Sequence, residues 1–234
     1  MPAVILAGGL ATRLWPLTEK IPKALVEVAG QPFLSHQLGL LKRREIERVV
    51  LCVGHLGEKI REYFGDGSAF GIRVDYSFDG PALLGTAGAI RKALSLLPEE
   101  FFVLYGDSYL NCDYNAVGTA FRNSGLSGLM TIYRNNGLYE KSNVEYDGGR
   151  ILRYDKQNRT SAMRYVDYGL GAFSRSVFSN IPAEQVCDLA TVYQALLQAQ
   201  ELAAFEVHER FYEIGSGSGL RDTAEFLKSS DGIR

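Results

Sequence analysis

The sequence predicts a doubly wound α/β domain with a largely parallel sheet covered by helices on both faces. Three observations carry that expectation. Short continuous apolar runs end at glycine or at Gly-Asp, stretches of helical apolar spacing alternate with those runs as far as Tyr105, and turn residues separate the two textures. Unbroken apolar runs, unlike alternating ones, belong to strands buried on both faces.

Pro2 to Ala7 is the first such run and stops at Gly8-Gly9. From Pro32 the positions Leu34, Leu38 and Leu41 recur at helical spacing, and Arg48 to Val53 follows as a second buried strand ended by Gly54. Leu56 to Phe64 reads as a helix, Gly65-Asp66-Gly67 as a turn, and Ile72 to Phe78 as a third strand. Thr86 to Leu97 is a helix with Thr86 as its N-cap and Ile90, Ala93, Leu94 and Leu97 on one face, stopped by Pro98. Phe101 to Tyr105 is a fourth strand, broken by Gly106-Asp107. After a helix over Asn115 to Arg122 the texture changes to short strands at Gly128 to Arg134, Ser142 to Tyr146, Arg150 to Tyr154 and Tyr165 to Phe173. A helix over Asp188 to Leu202, a strand over Ala203 to His208 and a helix over Gly219 to Lys228 close the pattern. With no internal repeat or composed linker, residues 1–234 are expected to form one domain, in which 1–110 and 111–234 are two halves of one sheet.

Composition narrows the partners. A net charge of −2 provides no basic field, so neither nucleic acid nor an anionic membrane is expected as the main partner, and any anion must be held by local charge. Cys52, Cys112 and Cys187 are odd in number and widely spaced, which suits a reducing cytoplasm better than a disulfide framework or a zinc knuckle. The N-terminal apolar run is far short of the ~20 residues a membrane span needs, and no targeting segment is visible. His36, His55 and His208 lack metal-ligand spacing and are expected to be structural or exposed.

The richest chemistry lies in Leu6-Ala7-Gly8-Gly9-Leu10-Ala11-Thr12-Arg13-Leu14-Trp15-Pro16-Leu17-Thr18, continued by Pro22-Lys23-Ala24-Leu25 and Val28-Ala29-Gly30-Gln31-Pro32. Paired glycines let backbone N–H groups approach an anion closely, and the cations Arg13 and Lys23 follow. The glycines are adjacent, so this is not G-x-G-x-x-G, and Lys23 lies too far on for a P-loop. By itself the stretch implies a phosphate ligand, or merely a glycine turn with solvated cations. Asp107, just past a buried strand, stands where open α/β sheets place ligands, and its carboxylate suits Mg²⁺, which takes one or two carboxylates together with substrate phosphates.

The full string resembles the signature of the sugar-1-phosphate nucleotidyltransferases, G-G-x-G-T-R-L-x-P-L-T, then P-K-x-L, then V-x-G-x-P. The resemblance extends in order through Leu84-Gly85-Thr86-Ala87-Gly88-Ala89, Tyr105-Gly106-Asp107 and Phe211-Tyr212-Glu213-Ile214-Gly215, with Ala11 where the family places glycine. It implies a Rossmann-like, glycosyltransferase-A type, three-layer α/β/α fold with a mixed, mostly parallel central sheet. It also implies site residues. The segment Leu6, Ala7, Gly8 and Gly9, with Thr12, Gly85, Thr86 and Gly106, would bind the nucleotide. Arg13 would hold the β- and γ-phosphates, and Lys23 would bridge the α-phosphate and the incoming sugar phosphate. Asp107 and Glu213, the latter standing where aspartate is usual, would hold Mg²⁺. Lys156, Asp167 and Gly169 would meet the sugar phosphate, although Tyr168 departs from the family's pattern.

The reaction so implied is transfer of a nucleoside monophosphate from an NTP to a sugar 1-phosphate. The compact length, the Leu-Gly-Thr-Ala-Gly-Ala block and the closing Gly-Ser-Gly most resemble short bacterial enzymes that make GDP-heptose or GDP-mannose, precursors of cell-surface polysaccharides. Uridylyl- or cytidylyltransferases acting on another sugar 1-phosphate or phosphocholine are alternatives, and a non-catalytic nucleotide-sugar sensor is a rival of another class. A monomer or homodimer is expected, and the space after Glu213 leaves room for one helix rather than an appended β-helix.

Overall fold

The computed structural model describes residues 1–229. Its central sheet has nine strands, and the first of them, β1 (Ala3–Leu6), lies between β4 (Arg48–Val53) and β6 (Glu100–Tyr105), parallel to both. Beyond β4 comes β5 (Arg73–Phe78), also parallel. On the other side β11 (Tyr165–Ser174) runs antiparallel to β6 and to β8 (Gly128–Arg134), and β12 (Leu202–Val207) continues parallel to β8. The antiparallel pair β9 (Val144–Asp147) and β10 (Arg150–Tyr154) completes this side of the sheet. One sheet thus runs through both halves of the chain.

Alternation along β1 explains the layering. Ala3 and Ile5 face one core with Leu34, Leu38 and Leu41 of α1 (Phe33–Arg43), Ile60 and Phe64 of α2 (Gly57–Phe64), and Val117 and Phe121 of α4 (Tyr114–Ser124). Val4 faces the opposite core with Ala87 and Ile90 of α3 (Gly85–Ala93), Phe178 of α5 (Ser176–Ser179), and Val192 and Tyr193 of α6 (Leu189–Gln198). Leu34, Leu38 and Leu41, chosen from periodicity, are all fully buried. Asp113 and Asp188 cap α4 and α6, accepting from Ala116 N at 2.9 Å and Ala190 N at 2.7 Å. The three-layer α/β/α expectation holds.

Two small pairings lack any sequence pattern. β2 (Glu27–Val28) pairs with β3 (Gln31–Pro32), and β7 (Ser108–Tyr109) pairs with β13 (Tyr212–Glu213). Behind β13, α7 (Gly217–Lys228) packs Leu227 against Val28, Phe33, Leu40, Tyr109 and Ile214 in a third core. The cap expected of Thr86 is absent. The helix begins one residue earlier, and Thr86 Oγ1 accepts from Leu189 N at 2.6 Å, which ties α3 to α6.

Candidate active site

The chain leaves β1 toward β4 and β5, then returns through α3 to β6 on the other side of β1. That reversal of strand order opens a crevice at the carboxyl ends, where α/β sheets bind ligands. Its cavity of about 220 Å³ is lined by Leu6, Ala7, Gly8, Gly9, Ala11, Lys23, Cys52, Asp79, Leu83, Gly85, Thr86, Ala89, Tyr105, Gly106 and Asp107, among others. Seven of the eight residues expected at the nucleotide are there. Thr12 is not: it lies in a single 3₁₀ turn, Thr12–Leu14, on the solvent side of the loop.

The close approach of two strand ends depends on Gly106. Its N–H donates to Leu6 O at 3.0 Å, and a Cβ there would stand 2.5 Å from that oxygen and 3.1 Å from Ala7 Cα. Asp107 is thereby held beside the glycine loop. The loop itself turns at Ala11, whose φ of 51° and ψ of 36° are left-handed. Ala11 O accepts from Leu14 N at 3.1 Å and from Thr18 Oγ1 at 2.7 Å, and Thr18 is buried. An alanine therefore adopts the conformation that glycine favours at this position.

Lys23 begins a 3₁₀ turn after Pro22, and its Nζ donates to Asp107 Oδ2 at 3.0 Å. The β7–β13 pairing, with Ile214 N donating to Asp107 O at 2.9 Å, brings Glu213 alongside. A Cβ on Gly215 would stand 2.6 Å from Glu213 Oε2, 2.8 Å from Arg13 Nη2 and 3.3 Å from Asp107 Oδ2. Three charged groups from three parts of the chain thus converge on one backbone position that glycine leaves open.

Glu213 is itself anchored. Its carboxylate accepts from Gly215 N and, at 2.7 Å, from the hydroxyl of Ser216, which caps α7 by accepting from Gly219 N at 3.0 Å. A Cβ on Gly219 would overlap this carboxylate, so the Gly-Ser-Gly-Ser-Gly run 215–219 wraps it. Arg13 and Glu213 also line a second, more polar depression with Tyr139, Glu140 and Arg210. Glu140 was not expected there. Burial, then the charges of Glu213 and Asp107, raise its carboxyl above the ordinary range against the opposing pull of Arg13 and Lys156.

The three residues expected at the sugar phosphate form a neighbouring group. Lys156 Nζ lies 3.3 Å from Tyr105 Oη, 3.8 Å from Asp167 Oδ2, and over the rings of Tyr105 and Tyr154 at 5.1 and 5.9 Å. Asp167 is less available than expected: Tyr154 Oη donates to Oδ2 at 3.2 Å and Gly169 N to Oδ1 at 3.1 Å. It serves here as the fixed counter-charge of Lys156. Tyr168 points away, buried against Tyr133 and Phe211.

The first turn of α3 is also less open than expected. Ala87 N and Gly88 N both donate to Cys187 O, at 2.9 and 3.2 Å, and a Cβ on Gly85, whose φ is +71°, would come within 2.6 Å of that oxygen. Gly85 and Thr86, which begin this helix, line the crevice. His36 Nε2 lies 2.7 Å from Val28 O, and no cluster of three or more His, Cys, Asp or Glu side chains able to hold a metal occurs among the described residues.

The glycine loop and the Lys23–Asp107 pair thus line a crevice at the strand-order switch point of a doubly wound sheet, the place where folds of this class bind ligands. Residues 2–230 match the family model described as nucleotidyl transferase, and the chain belongs to that family. Over 226 residues it is 30% identical to the N-acetylmuramate alpha-1-phosphate uridylyltransferase of Neisseria meningitidis serogroup B, covering 95% of this chain and 96% of that one. Over 113 residues it is 40% identical to the D-glycero-alpha-D-manno-heptose 1-phosphate guanylyltransferase of Campylobacter jejuni, covering 48% and 50% of the two chains. Other curated relatives are longer, and the chain spans 53% and 58% of the length of two of them. In fold it superposes on a crystal structure of a putative glucose-1-phosphate thymidylyltransferase from Bacillus anthracis with a TM-score of 0.87 at 20% identity, covering 98% of this chain and 96% of that one. No helix among the described residues is long and apolar enough to cross a membrane.

Proposed function

We propose that this chain transfers a nucleoside monophosphate from an NTP, with GTP favoured, to a sugar 1-phosphate, with heptose or mannose 1-phosphate favoured, and releases pyrophosphate. The observation that carries this reading is the convergence of Arg13, Asp107 and Glu213 at Gly215, with Lys23 paired to Asp107 in the crevice that holds the Gly8-Gly9 loop. Two phosphate anions must meet in such a reaction, so the barrier is largely electrostatic. Cations placed before substrate arrives lower it without reorganising.

In this reading the sugar phosphate oxygen attacks the α-phosphorus in line, the bond to the β-phosphate oxygen breaks, and pyrophosphate leaves. The attacking phosphate is already ionised at neutral pH, so no general base is required. Lys23, which lines the crevice beside Asp107, would place its charge at the α-phosphate and the incoming phosphate. Arg13, exposed at the rim, holds the leaving phosphates, and Lys156 holds the sugar phosphate between two tyrosine rings. The backbone of Leu6 to Gly9 and the start of α3 at Gly85 and Thr86 receive the nucleoside.

The carboxylates fit Mg²⁺. Asp107 and Glu213 approach one point, both are hard oxygen donors, and with no third ligating side chain among the described residues the ion would share substrate phosphate oxygens, which is the habit of Mg²⁺. When bound there it would supply charge neutralisation at the phosphates. Pyrophosphate release across the four NTPs and a panel of sugar 1-phosphates, with Mg²⁺, tests the reading. Turnover with at least one pair is expected. No turnover with any pair, alongside tight binding of a nucleotide-sugar, would leave a binding module instead.

A further inference from the structure

One face of α1 carries a polar side chain where its neighbours are apolar. Phe33, Gln37 and Leu40 recur there at helical spacing, and all three are buried, Gln37 to 1% exposure. Phe33 and Leu40 pack with Tyr109 and Ile214, the residues next after Ser108 of β7 and Glu213 of β13. Periodicity alone would put an apolar residue at 37. Gln37 instead sends its amide to the turn between β6 and β7: Nε2 donates to Tyr105 O at 3.2 Å and to Ser108 O at 2.9 Å, the carbonyls on either side of Gly106-Asp107. Its Oε1 is buried with no hydrogen-bond partner among the described residues, which makes this side chain a costly choice for packing alone.

The turn so held carries one carboxylate and aligns the other. Asp107 lies inside it, and Ser108 is the register partner of Glu213 in the β7–β13 pair. Gly106 N donates to Leu6 O and Ile214 N to Asp107 O, and the Gln37 amide adds a third hold, the one of these three that comes from a side chain and spans the turn from end to end. Mg²⁺ demands its oxygen ligands at about 2.0–2.1 Å in a near-octahedral array, so a small drift of Asp107 relative to Glu213 is felt by the ion. Gln37 itself lines neither the crevice nor the polar depression beside it.

We infer that Gln37 is the positioning residue of the carboxylate pair: from behind the site, touching neither substrate nor metal, its amide fixes Asp107 and, through Ser108, its alignment with Glu213. This rests on the placement of Mg²⁺ at those carboxylates in the reading above and extends it to a residue of α1.

The test measures Mn²⁺ binding to the nucleotide-free protein, from the electron paramagnetic resonance signal of the free ion, beside the Mg²⁺ dependence of turnover. Gln37→Met fills similar space without a donor, Asp107→Asn sets the level at which the metal site is lost, and Leu41→Ala removes packing from the other core that α1 faces. Gln37→Met is expected to weaken Mn²⁺ binding about 10–100-fold, as loss of a group that orients a ligand does. The Mg²⁺ needed for half-maximal rate should rise with it, and excess Mg²⁺ should restore most of the turnover. Leu41→Ala is expected to lower the urea midpoint while leaving both metal readouts unchanged. Gln37→Glu, equal in size, offers at most one hydrogen to the two carbonyls; it should weaken Mn²⁺ binding in the same direction, and it decides the matter if Gln37→Met does not fold. Metal readouts unchanged in folded Gln37→Met, or altered as much in Leu41→Ala, would reduce Gln37 to a packing residue and overturn the assignment, as would Mn²⁺ binding that Asp107→Asn leaves intact. If no substrate pair is turned over, the nucleotidyl-transfer reading fails by itself, and Mn²⁺ binding alone decides: weaker binding in Gln37→Met upholds the assignment, and equal binding overturns it.

Discussion

Replacing Ala11 by glycine should stabilise the protein, although it removes a methyl group from a folded loop. A non-glycine residue in the left-handed region costs about 1–2 kcal/mol, and the φ of 51° places Ala11 there. The conformation is fixed from both sides, since the Ala11 carbonyl accepts from Leu14 N and from the buried Thr18 hydroxyl. Relaxation by moving the loop would forfeit both bonds. Against the relief stands the extra freedom glycine gives the unfolded chain, about 0.4–1 kcal/mol. The net expectation is a gain of about 0.5–1 kcal/mol, or about 1–4 °C in Tm for a chain of this size. Urea unfolding is the cleaner assay: the midpoint should rise with an unchanged slope, because the surface exposed on unfolding hardly changes. Ala11→Val, β-branched in the same conformation, should lower the midpoint. A midpoint for Ala11→Gly at or below that of the unmodified protein would refute the claim that this loop is held in a strained state.

Other expectations concern charge. Lys23→Ala should reduce turnover by about 10²–10³-fold, as removal of a preorganised charge does, while changing stability by less than about 1 kcal/mol because the Lys23–Asp107 pair is partly solvated; unchanged turnover would misplace the phosphate site. Ser216→Ala should cost about 1 kcal/mol through the lost cap of α7 and, by loosening the Glu213 carboxylate, raise the Mg²⁺ concentration needed for half-maximal rate. An unaltered Mg²⁺ titration would separate Glu213 from the metal. Asp75 is half-buried, which pushes its carboxyl up, but Arg48 at 2.7 Å and Arg73 at 3.1 Å outweigh this and hold it below the ordinary range. Its stabilisation is therefore present in full above the unfolded carboxyl value of about 3.9 and is lost as pH falls through the folded value. The stability gap between the unmodified protein and Asp75→Asn should accordingly shrink on going from pH 7 to pH 3, as read from urea midpoints, and a gap that widens would contradict the sign.

The inner strands of the sheet were legible because they bury both faces and so carry an unbroken apolar run, as Val49 to Val53 and Phe101 to Leu104 do. The glycine loop, Lys23 and Asp107 were legible because they sit at the ends of those runs. What escaped was set by distant partners. Two residues cannot display a period, so nothing in Ser108–Tyr109 or Tyr212–Glu213 announces that they pair. Thr86 carries the local chemistry of a cap, yet its hydroxyl is claimed by Leu189, 103 residues away. Asp79 and Glu140 look like ordinary loop carboxylates until the crevice and the charges around them are assembled. Ala11 was noticed as a departure from glycine, but its backbone angles show that the turn survives the substitution.

The two-residue pairing of β7 with β13 also bears on how the protein matures on the ribosome. The glycine loop, both cations and Asp107 all emerge within the first 107 residues, and the sheet strands they hang from can begin to associate before synthesis ends. The second carboxylate arrives more than a hundred residues later, and it is oriented by Gly215, Ser216 and the start of α7, which follow it. A nascent chain therefore carries the residues of the glycine loop well before it carries the second of the two carboxylates proposed to hold the metal.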